Sequence, residues 1–456
     1  MKRLWIPLSL LVSLSTLLLF YQWSDAKGNA VDNSEPPLRL DIGMAIKEDQ
    51  VHIGFTYDSL RPGKYSMQLP DEARDLQCTF NGNGTCRIIN KAQMNLERIE
   101  TVTIKYAIPL ASTNVLMDWM LELEGNGEKV DPPYTLTLED YNNIESTWVA
   151  PASKSSDIVM DNLRYLEFEQ SNGPMPLLQP MEEKVWHYGN SVVTVAEGES
   201  LSASTRSELK NFLSLTGPAI VELDRPEVRI ENAYLTTKGH DIKALEAEYI
   251  SSHIKSIADV ETSWEAEVMK DVFHQKGTSV AKEILTSLSD EQLSDWKRLL
   301  LAEEEVTDIS KFLDETLSEV YGLETTFFKE QNRGESLLLY FHHQKKAIIE
   351  GTELTEKVLH YQGSTYFPLN ELAVSARYDI TEIEPGKIYR VKLPDTTYRF
   401  FVDETTFIMN EESFGIGNNL LKIMDGIPYI KADYVEELFH LRIISDENLF
   451  RLQKKK

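Results

Sequence analysis

The chain has 456 residues, 42% of them hydrophobic and 9% aromatic, which suits about two to four domains with real cores and excludes a disordered polymer. Acidic residues outnumber basic ones by 73 to 46, a formal net charge of −27. A surface of that sign repels polyanions, so no nucleic acid is expected as a partner, and the acidity, spread along the whole chain, reads as solubility outside the cell.

Met1, Lys2 and Arg3 precede an apolar run from Leu4 to Trp23. Two positive charges before such a run are the opening of a secretory signal, and Ser24, Asp25 and Ala26 place small residues where a signal peptidase cuts. Residues 1–26 read as a signal peptide cleaved after Ala26. The same run is long enough to cross a bilayer, so a single membrane anchor at residues 4–23 stays open as the alternative. Both readings export the rest of the chain. No cysteine lies near residue 26, so lipid attachment is not supported. Residues 27–37 are polar, contain two prolines, and read as a linker.

From Leu38 the pattern alternates. Leu40, Ile42, Met44 and Ile46 share one face, and Val51, Ile53 and Phe55 follow a polar turn at 47–50. Cys78 and Cys86, the two cysteines of the chain, flank Asn-Gly turn signals, so a hairpin with a local disulfide is expected in an exported protein. The sequon at Asn83 falls inside that turn. Val102, Ile104, Tyr106 and Ile108 alternate again, as do Leu136 and Leu138. These strands predict an antiparallel β-sandwich over residues 38–148. Residues 150–157 are small and polar and suit a boundary.

Residues 158–235 read as a mixed α/β region, with strands near 163–166, 191–195 and 219–223 and a helix over 204–215. The period turns helical over residues 236–335. Ile242, Leu245, Ile250, Ile254 and Ile257 mark one helix; Trp264, Val268, Val272 and Phe273 mark the next, and 280–288 a third. Ser289 with Gln292 resembles a capping box before 293–304. Ile309, Phe312, Leu313, Leu317, Val320 and Tyr321 mark the last helix, with Gly322 as its stop. Strands are expected at 325–329 and 336–342, joined by a turn at 332–334.

Signatures of chemistry are sparse. No phosphate loop, HExxH, nucleophile elbow, CxxC pair or EF-hand loop occurs. Five Ser-x-x-Lys matches lack the Lys-Thr-Gly that a penicillin-binding site requires. The nine histidines, among them the adjacent His342 and His343, show no metal-ligand spacing. On a strand those two point to opposite faces, one outward and one inward. Trp119, Trp148, Trp186, Trp264 and Trp296 read as core residues before sugar platforms. No catalytic residue, metal ligand or cofactor site is identified.

One pattern occurs twice near the end. Tyr366, Phe367, Pro368, Leu369, Asn370, Glu371, Leu372 and Ala373 lead to Tyr378, Asp379 and Ile380. Tyr429, Ile430, Lys431, Ala432, Asp433, Tyr434, Val435 and Glu436 lead to Leu441, Arg442 and Ile443, 63 residues on. Each copy reads as a strand entering a short helix and then a second strand. Gly363 makes the turn, Tyr366 and Phe367 pack, Pro368 starts the helix, and Leu369, Leu372 and the stretch 374–376 face the sheet. Strands at 389–391, 398–402 and 406–409 lie between the copies. This pattern, from Gly363 to Ala373, resembles the stalk domain named after the N-terminal domain of copper amine oxidases, over about residues 340–453. Asn370 stands where Arg is usual, the helix-ending glycine is replaced near Arg377, and Lys431 replaces proline in the second copy. The resemblance implies an exported envelope protein of Gram-positive type with a spacer or adhesive module; it does not imply copper or amine oxidation.

The expected fold class is α+β multidomain: an N-terminal antiparallel β-sandwich, a mixed and helical middle, and a C-terminal α+β stalk-like domain, residues 340–456, with two related halves. The expected function is a non-enzymatic binding or spacer module in the cell envelope, directed at a cell-wall polymer or an envelope protein. The alternatives are a wall-directed hydrolase with its site in residues 158–335, and a sensor or regulatory ectodomain anchored by residues 4–23.

Overall fold

Alternation builds the first sheet. Along Arg39–Lys47, Leu40, Ile42, Met44 and Ile46 are buried while their neighbours face out, and Gln50–Leu60 repeats the pattern with Val51, Ile53, Phe55 and Tyr57. These are features of a computed structural model that describes residues 38–455 apart from 82–83, 87, 89–91, 111–113, 171–172, 182, 276 and 332–337. The signal or anchor segment, the linker, the Asn83 sequon and the turn at 332–334 lie outside the described residues. The chain divides into two compact units, Met1–Met181 and Glu182–Lys456. Its class is mixed α+β: N-terminal sheets, a helical middle and a β-rich C-terminal region.

In the first unit, eight strands form one sheet in the order Ser153–Met160, Leu163–Gln170, Tyr134–Asp140, Arg39–Lys47, Gln50–Leu60, Glu100–Pro109, Arg74–Phe80 and Gly84–Thr85. A four-stranded sheet runs Glu128–Lys129, Glu122–Gly125, Gly63–Gln68 and Gln93–Leu96. Tyr65, Met67, Met94, Leu96 and Leu123 from the small sheet share one core with Ile42, Phe55, Ile104 and Leu136 from the large one. Trp119 sits fully buried there and donates its indole N–H to the Met175 carbonyl at 2.8 Å. Cys78 and Cys86 form the expected disulfide across the hairpin.

Two features differ from the sequence reading. Arg39–Lys47 pairs with Tyr134–Asp140 in parallel, Leu40 opposite Tyr134 and Ile46 opposite Asp140, so the large sheet is not wholly antiparallel. Alternation reports which face a residue takes and is blind to strand direction. The sheet also continues past residue 148, through Ser153–Met160 and Leu163–Gln170. Ser153–Met160 is an edge strand with almost every residue exposed, so it carries no apolar period, and its small polar start reads as a boundary.

The second unit opens with a five-stranded sheet ordered Glu183–Tyr188, Ser191–Ala196, Ile220–Glu222, Tyr234–Thr236 and Arg229–Glu231, parallel through its middle three strands. Helix Ala203–Thr216 supplies the crossover that parallel neighbours require. The helices Ile242–Ile257, Trp264–His274, Ser279–Ser287, Asp290–Ala302 and Ile309–Tyr321 follow, near their expected places. Each is capped by a side-chain oxygen, from Asp241, Ser263, Thr278, Ser289 and Asp308 in turn. Ser289 and Gln292 complete the capping box. Trp296, Leu300, Leu313, Leu317 and Phe328 fill the core between them.

The segment expected as a strand at 325–329 is a short helix, Phe327–Gln331. The buried Asp314 carboxylate accepts from the backbone amides of Phe328 at 2.8 Å and Lys329 at 3.1 Å, a tertiary cap that local pattern does not reveal. Past residues 332–337, only Phe341–His342 of the expected 336–342 strand is extended in a ladder.

Candidate functional site

The repeated pattern forms the centre of the C-terminal region, and its turns come first. Gln362 and Gly363 join Leu359–Tyr361 to Ser364–Pro368; Asp425 and Gly426 join Leu421–Met424 to Ile427–Lys431. All four turn residues have positive φ, with Gly363 at 75° and Gly426 at 72°, the backbone that a two-residue hairpin of primed type demands. Each hairpin then enters a helix, Leu369–Ser375 or Ala432–Leu438, and continues into a strand, Asp379–Glu384 or Leu441–Ser445.

The two copies pair with each other. Tyr366 lies opposite Lys431, Phe367 opposite Ile430, and Pro368 opposite Tyr429. Equivalent residues of the repeat therefore exchange places across a local two-fold axis through Phe367 and Ile430. Those two are fully buried on one face, in the main C-terminal core with Leu369, Leu372, Val435 and Phe439. Tyr366 and Tyr429 are buried on the other face with Tyr340, Leu359, Tyr361 and Met424. The Tyr366 hydroxyl donates to the Asn419 carbonyl at 2.9 Å and that of Tyr429 to the Lys357 carbonyl at 3.2 Å. Burial raises both phenols well above their ordinary value, so they remain neutral donors.

Pro368 and Lys431 hold the same N-cap place with the same φ of −64°, so lysine adopts what proline enforces. Lys431 has a use for the amide that proline lacks: it donates to the Leu420 carbonyl at 3.0 Å. The helix ends match as well. Arg377 at φ 62° and His440 at φ 52° take the left-handed turn usually left to glycine. The Tyr378 hydroxyl ties the two ends by donating to the Phe439 carbonyl at 2.9 Å. One residue departs from expectation: Val374 is 65% exposed, because the buried stripe runs through Leu369, Leu372, Ala373 and Ala376 and position 374 falls on the opposite side.

The motif residues Gly363, Tyr366, Pro368, Leu369, Leu372, Tyr429 and Val435 are thus brought together as a packing unit, with their polar atoms engaged by backbone. They shape a surface and present no free acid, base or nucleophile. Between the copies runs a five-stranded meander, Asp379–Glu384, Ile388–Lys392, Thr397–Phe401, Thr406–Met409 and Ser413–Ile416. The last of these was not legible from sequence, since four residues with Gly415 among them and Gly417 beyond carry no period.

Residues 158–335 contain the buried titratable groups that a hydrolytic site would recruit. Glu222, almost fully buried on the central parallel strand, accepts from the Tyr234 hydroxyl and the Arg225 guanidinium, and Arg225 also meets Glu183 at 3.2 Å. Burial raises its carboxyl against the pull of Arg225. Glu265 accepts from the Ser310 hydroxyl at 2.8 Å, and burial pushes the Asp314 carboxyl up to about 7. The Trp296 indole donates to Thr316 at 2.9 Å. A cavity of about 310 Å³ is lined by Lys255, Thr262, Ser263, Trp264 and Glu267, with Lys255 and Glu267 ion-paired across 2.9 Å. Among the described residues, no group of three or more His, Cys, Asp or Glu side chains is arranged to hold a metal.

His342 and His343 are both half-buried, not one outward and one inward as their alternation suggests. His343 lies 5.8 Å from His360 and 5.1 Å from Phe450 between ring centroids, and burial pushes it down to about 4, with His360 and Lys345 adding. His343 lies one residue past the two-residue strand Phe341–His342, so strand alternation does not set its side. Among the described residues, no helix is long and apolar enough to cross a membrane.

No protein-family model and no curated protein matches the chain. Among solved structures, an M1 zinc metallopeptidase from Deinococcus radiodurans is similar at 10% identity with a TM-score of 0.41, covering 62% of this chain and 91% of that one. A point mutant of that peptidase gives 10% and 0.42, covering 64% and 92%. The mutant bound to a Tyr-Ser-Ala substrate gives 12% and 0.35, covering 62% and 79%. Similarity at this level carries no statement about the activity of this chain.

Proposed function

We propose that the chain is a non-enzymatic, exported cell-envelope protein whose C-terminal region, residues 340–456, is a stalk-like domain of two related halves that contacts a cell-wall polymer or an envelope protein. In this reading the N-terminal sheets form a β-sandwich, and residues 1–26 are the export signal or anchor. The observation that carries it is the pairing of the two motif copies across Phe367 and Ile430. A motif centre whose two tyrosine hydroxyls turn inward to backbone carbonyls builds a packed surface, as a spacer or binding module requires. The engagement of Glu222 in an ion pair, Glu265 with the Ser310 hydroxyl and Asp314 in a helix cap also favours a binding role over the wall-directed hydrolase alternative. The Cys78–Cys86 disulfide is in keeping with export.

The test is co-sedimentation of the full chain with isolated cell-wall sacculi, followed by hydrogen exchange on the pelleted protein. Saturable binding with protection concentrated in residues 340–456 is expected. Protection confined to residues 158–335, with release of soluble wall fragments, would replace this reading by the hydrolase. N-terminal sequencing of the exported protein is expected to begin at Lys27; an intact Met1 on a membrane fraction would indicate the anchor.

A further inference from the structure

The meander of residues 379–416 has two free edges of opposite character. The edge Asp379–Glu384 carries Asp379, Glu382 and Glu384, and a register shift interrupts it between Glu382 and Glu384. Charge and irregularity are how natural sheets keep other strands away. The other edge, Ser413–Ile416, carries no charge, and Phe414 and Ile416 are 77% and 84% exposed. Both project from the same face, where Phe414 stands opposite Ile408 and Ile416 opposite Thr406.

The backbone of this edge is open at the same two residues. The Gly417 amide donates to the Thr405 carbonyl at 2.7 Å, which sets the phase of the antiparallel ladder. Counting back from that pair, Gly415 and Ser413 bond inward to the neighbouring strand, and the N–H and C=O groups of Phe414 and Ile416 point outward. Gly415 has no room for a side chain, because an added Cβ would lie 2.0 Å from the Phe407 ring. The Phe407 ring thus covers the face on which Gly415 lies. Exposed Glu411 and Glu412 immediately precede this strand, exposed Glu404 adjoins Thr405 at its far end, and Arg399 pairs with Glu411.

We propose that Ser413–Ile416 is a docking edge for an extended protein segment that adds a sixth strand to the meander. The segment would alternate apolar with small residues, so that two apolar side chains sit beside Phe414 and Ile416 and a small one passes over Phe407. Lysine or arginine at its ends would meet Glu404 and Glu412. Backbone hydrogen bonds supply the affinity and the alternating side chains the selectivity, as in other strand additions. This narrows the partner of the preceding reading to a protein segment and rests on the C-terminal region being the contacting part.

The probe is an array of immobilised decapeptides that alternate Val, Ile or Phe with Ala or Ser between lysine ends, beside the same cores with glutamate ends or a central proline. The full chain is expected to bind the lysine-ended set at least tenfold better than the glutamate-ended set. The bound peptide should protect the amides of Phe414 and Ile416 from exchange. Ile416→Lys, at an exposed position, should leave the melting temperature unchanged and reduce binding at least tenfold; Phe414→Ser should act in the same direction. Equal binding by wild type and I416K, or no protection at these amides, overturns the proposal. So does concentration-dependent dimerisation that protects the same amides without peptide, since the occupant is then a second copy. Sacculus binding that I416K leaves unaltered would remove this docking edge while the envelope-module reading stands.

Discussion

The two halves of the C-terminal repeat share turns, caps and pairing, yet they are put to different uses. The strand after the first half, Asp379–Glu384, starts a five-stranded meander and remains largely exposed. The strand after the second half, Leu441–Ser445, pairs with Leu449–Lys454 and closes the region. The difference begins at small substitutions. Pro368 becomes Lys431 because that amide is needed by Leu420, and His360 in the first half corresponds to Ile423 in the second. A duplicated motif can thus keep its centre fixed while its outer strands diverge, because the centre is buried on both faces and the outer strands are not.

The comparison breaks most directly at its axis. Phe367→Ala and Ile430→Ala each open a cavity at a fully buried position and are expected to cost about 3–5 and about 2–5 kcal/mol. Urea unfolding should lose both halves in one transition; two separate transitions would show that the halves are independent and that their pairing is incidental.

Acid should distinguish the halves through the histidines beside the first. The folded state holds His343 near 4, below its ordinary 6.5, so the unfolded chain takes up its proton first as the pH falls. Stability from this group is intact above 6.5 and lost towards pH 4, by about 2 kcal/mol after discounting for its half-exposure. Asp314 acts with the opposite sign. Its carboxyl is raised from 3.8 to about 7, so its protonated form is favoured on folding and stability falls as the pH rises through that window, on the order of 3 kcal/mol. His343→Phe should leave a stability that falls from pH 4 to 7, and Asp314→Asn one that rises. Denaturant midpoints across that range read both slopes, and identical profiles for the two variants would rule out these assignments.

Exchanging the cap residues gives a smaller, asymmetric effect. Lys431→Pro fits the local φ yet deletes the bond to Leu420 and should cost about 1–3 kcal/mol, whereas Pro368→Lys should cost under about 1 kcal/mol. Equal losses in thermal unfolding would refute this explanation of the second copy's lysine. The smallest effects are expected at the turns. Nothing lies within 4 Å of a Cβ added at Gly363 or Gly426, so each Gly→Ala change should cost only the backbone strain of about 1 kcal/mol, alike in both halves.

Much of this architecture was legible because buried positions repeat. The alternation of Leu40 to Ile46, the helical stripe from Ile242 to Ile257, the Ser289 capping box and the paired motifs were all local patterns. What stayed hidden depends on distant partners or on exposure. The direction of Arg39–Lys47 against Tyr134–Asp140 leaves no trace in either strand. Ser153–Met160 and Ser413–Ile416 are edges without a buried face, and Phe327–Gln331 owes its start to Asp314 in another helix. The candidate docking edge belongs to that hidden class: its value lies in what it leaves uncovered, whereas periodicity records what is covered.

The strand Lys346–Ile349, near the start of the C-terminal region, runs parallel to Leu449–Lys454, near its end. Tension between those two points would pull the strands past each other lengthwise. All four paired positions, from Lys346 with Leu449 to Ile349 with Leu452, would then bear load at the same time instead of parting in succession. The region is built as a mechanical clamp: stretched between these strands in a force spectrometer it should yield in one abrupt, high-force event, and gradual low-force peeling would show that the ladder carries no load.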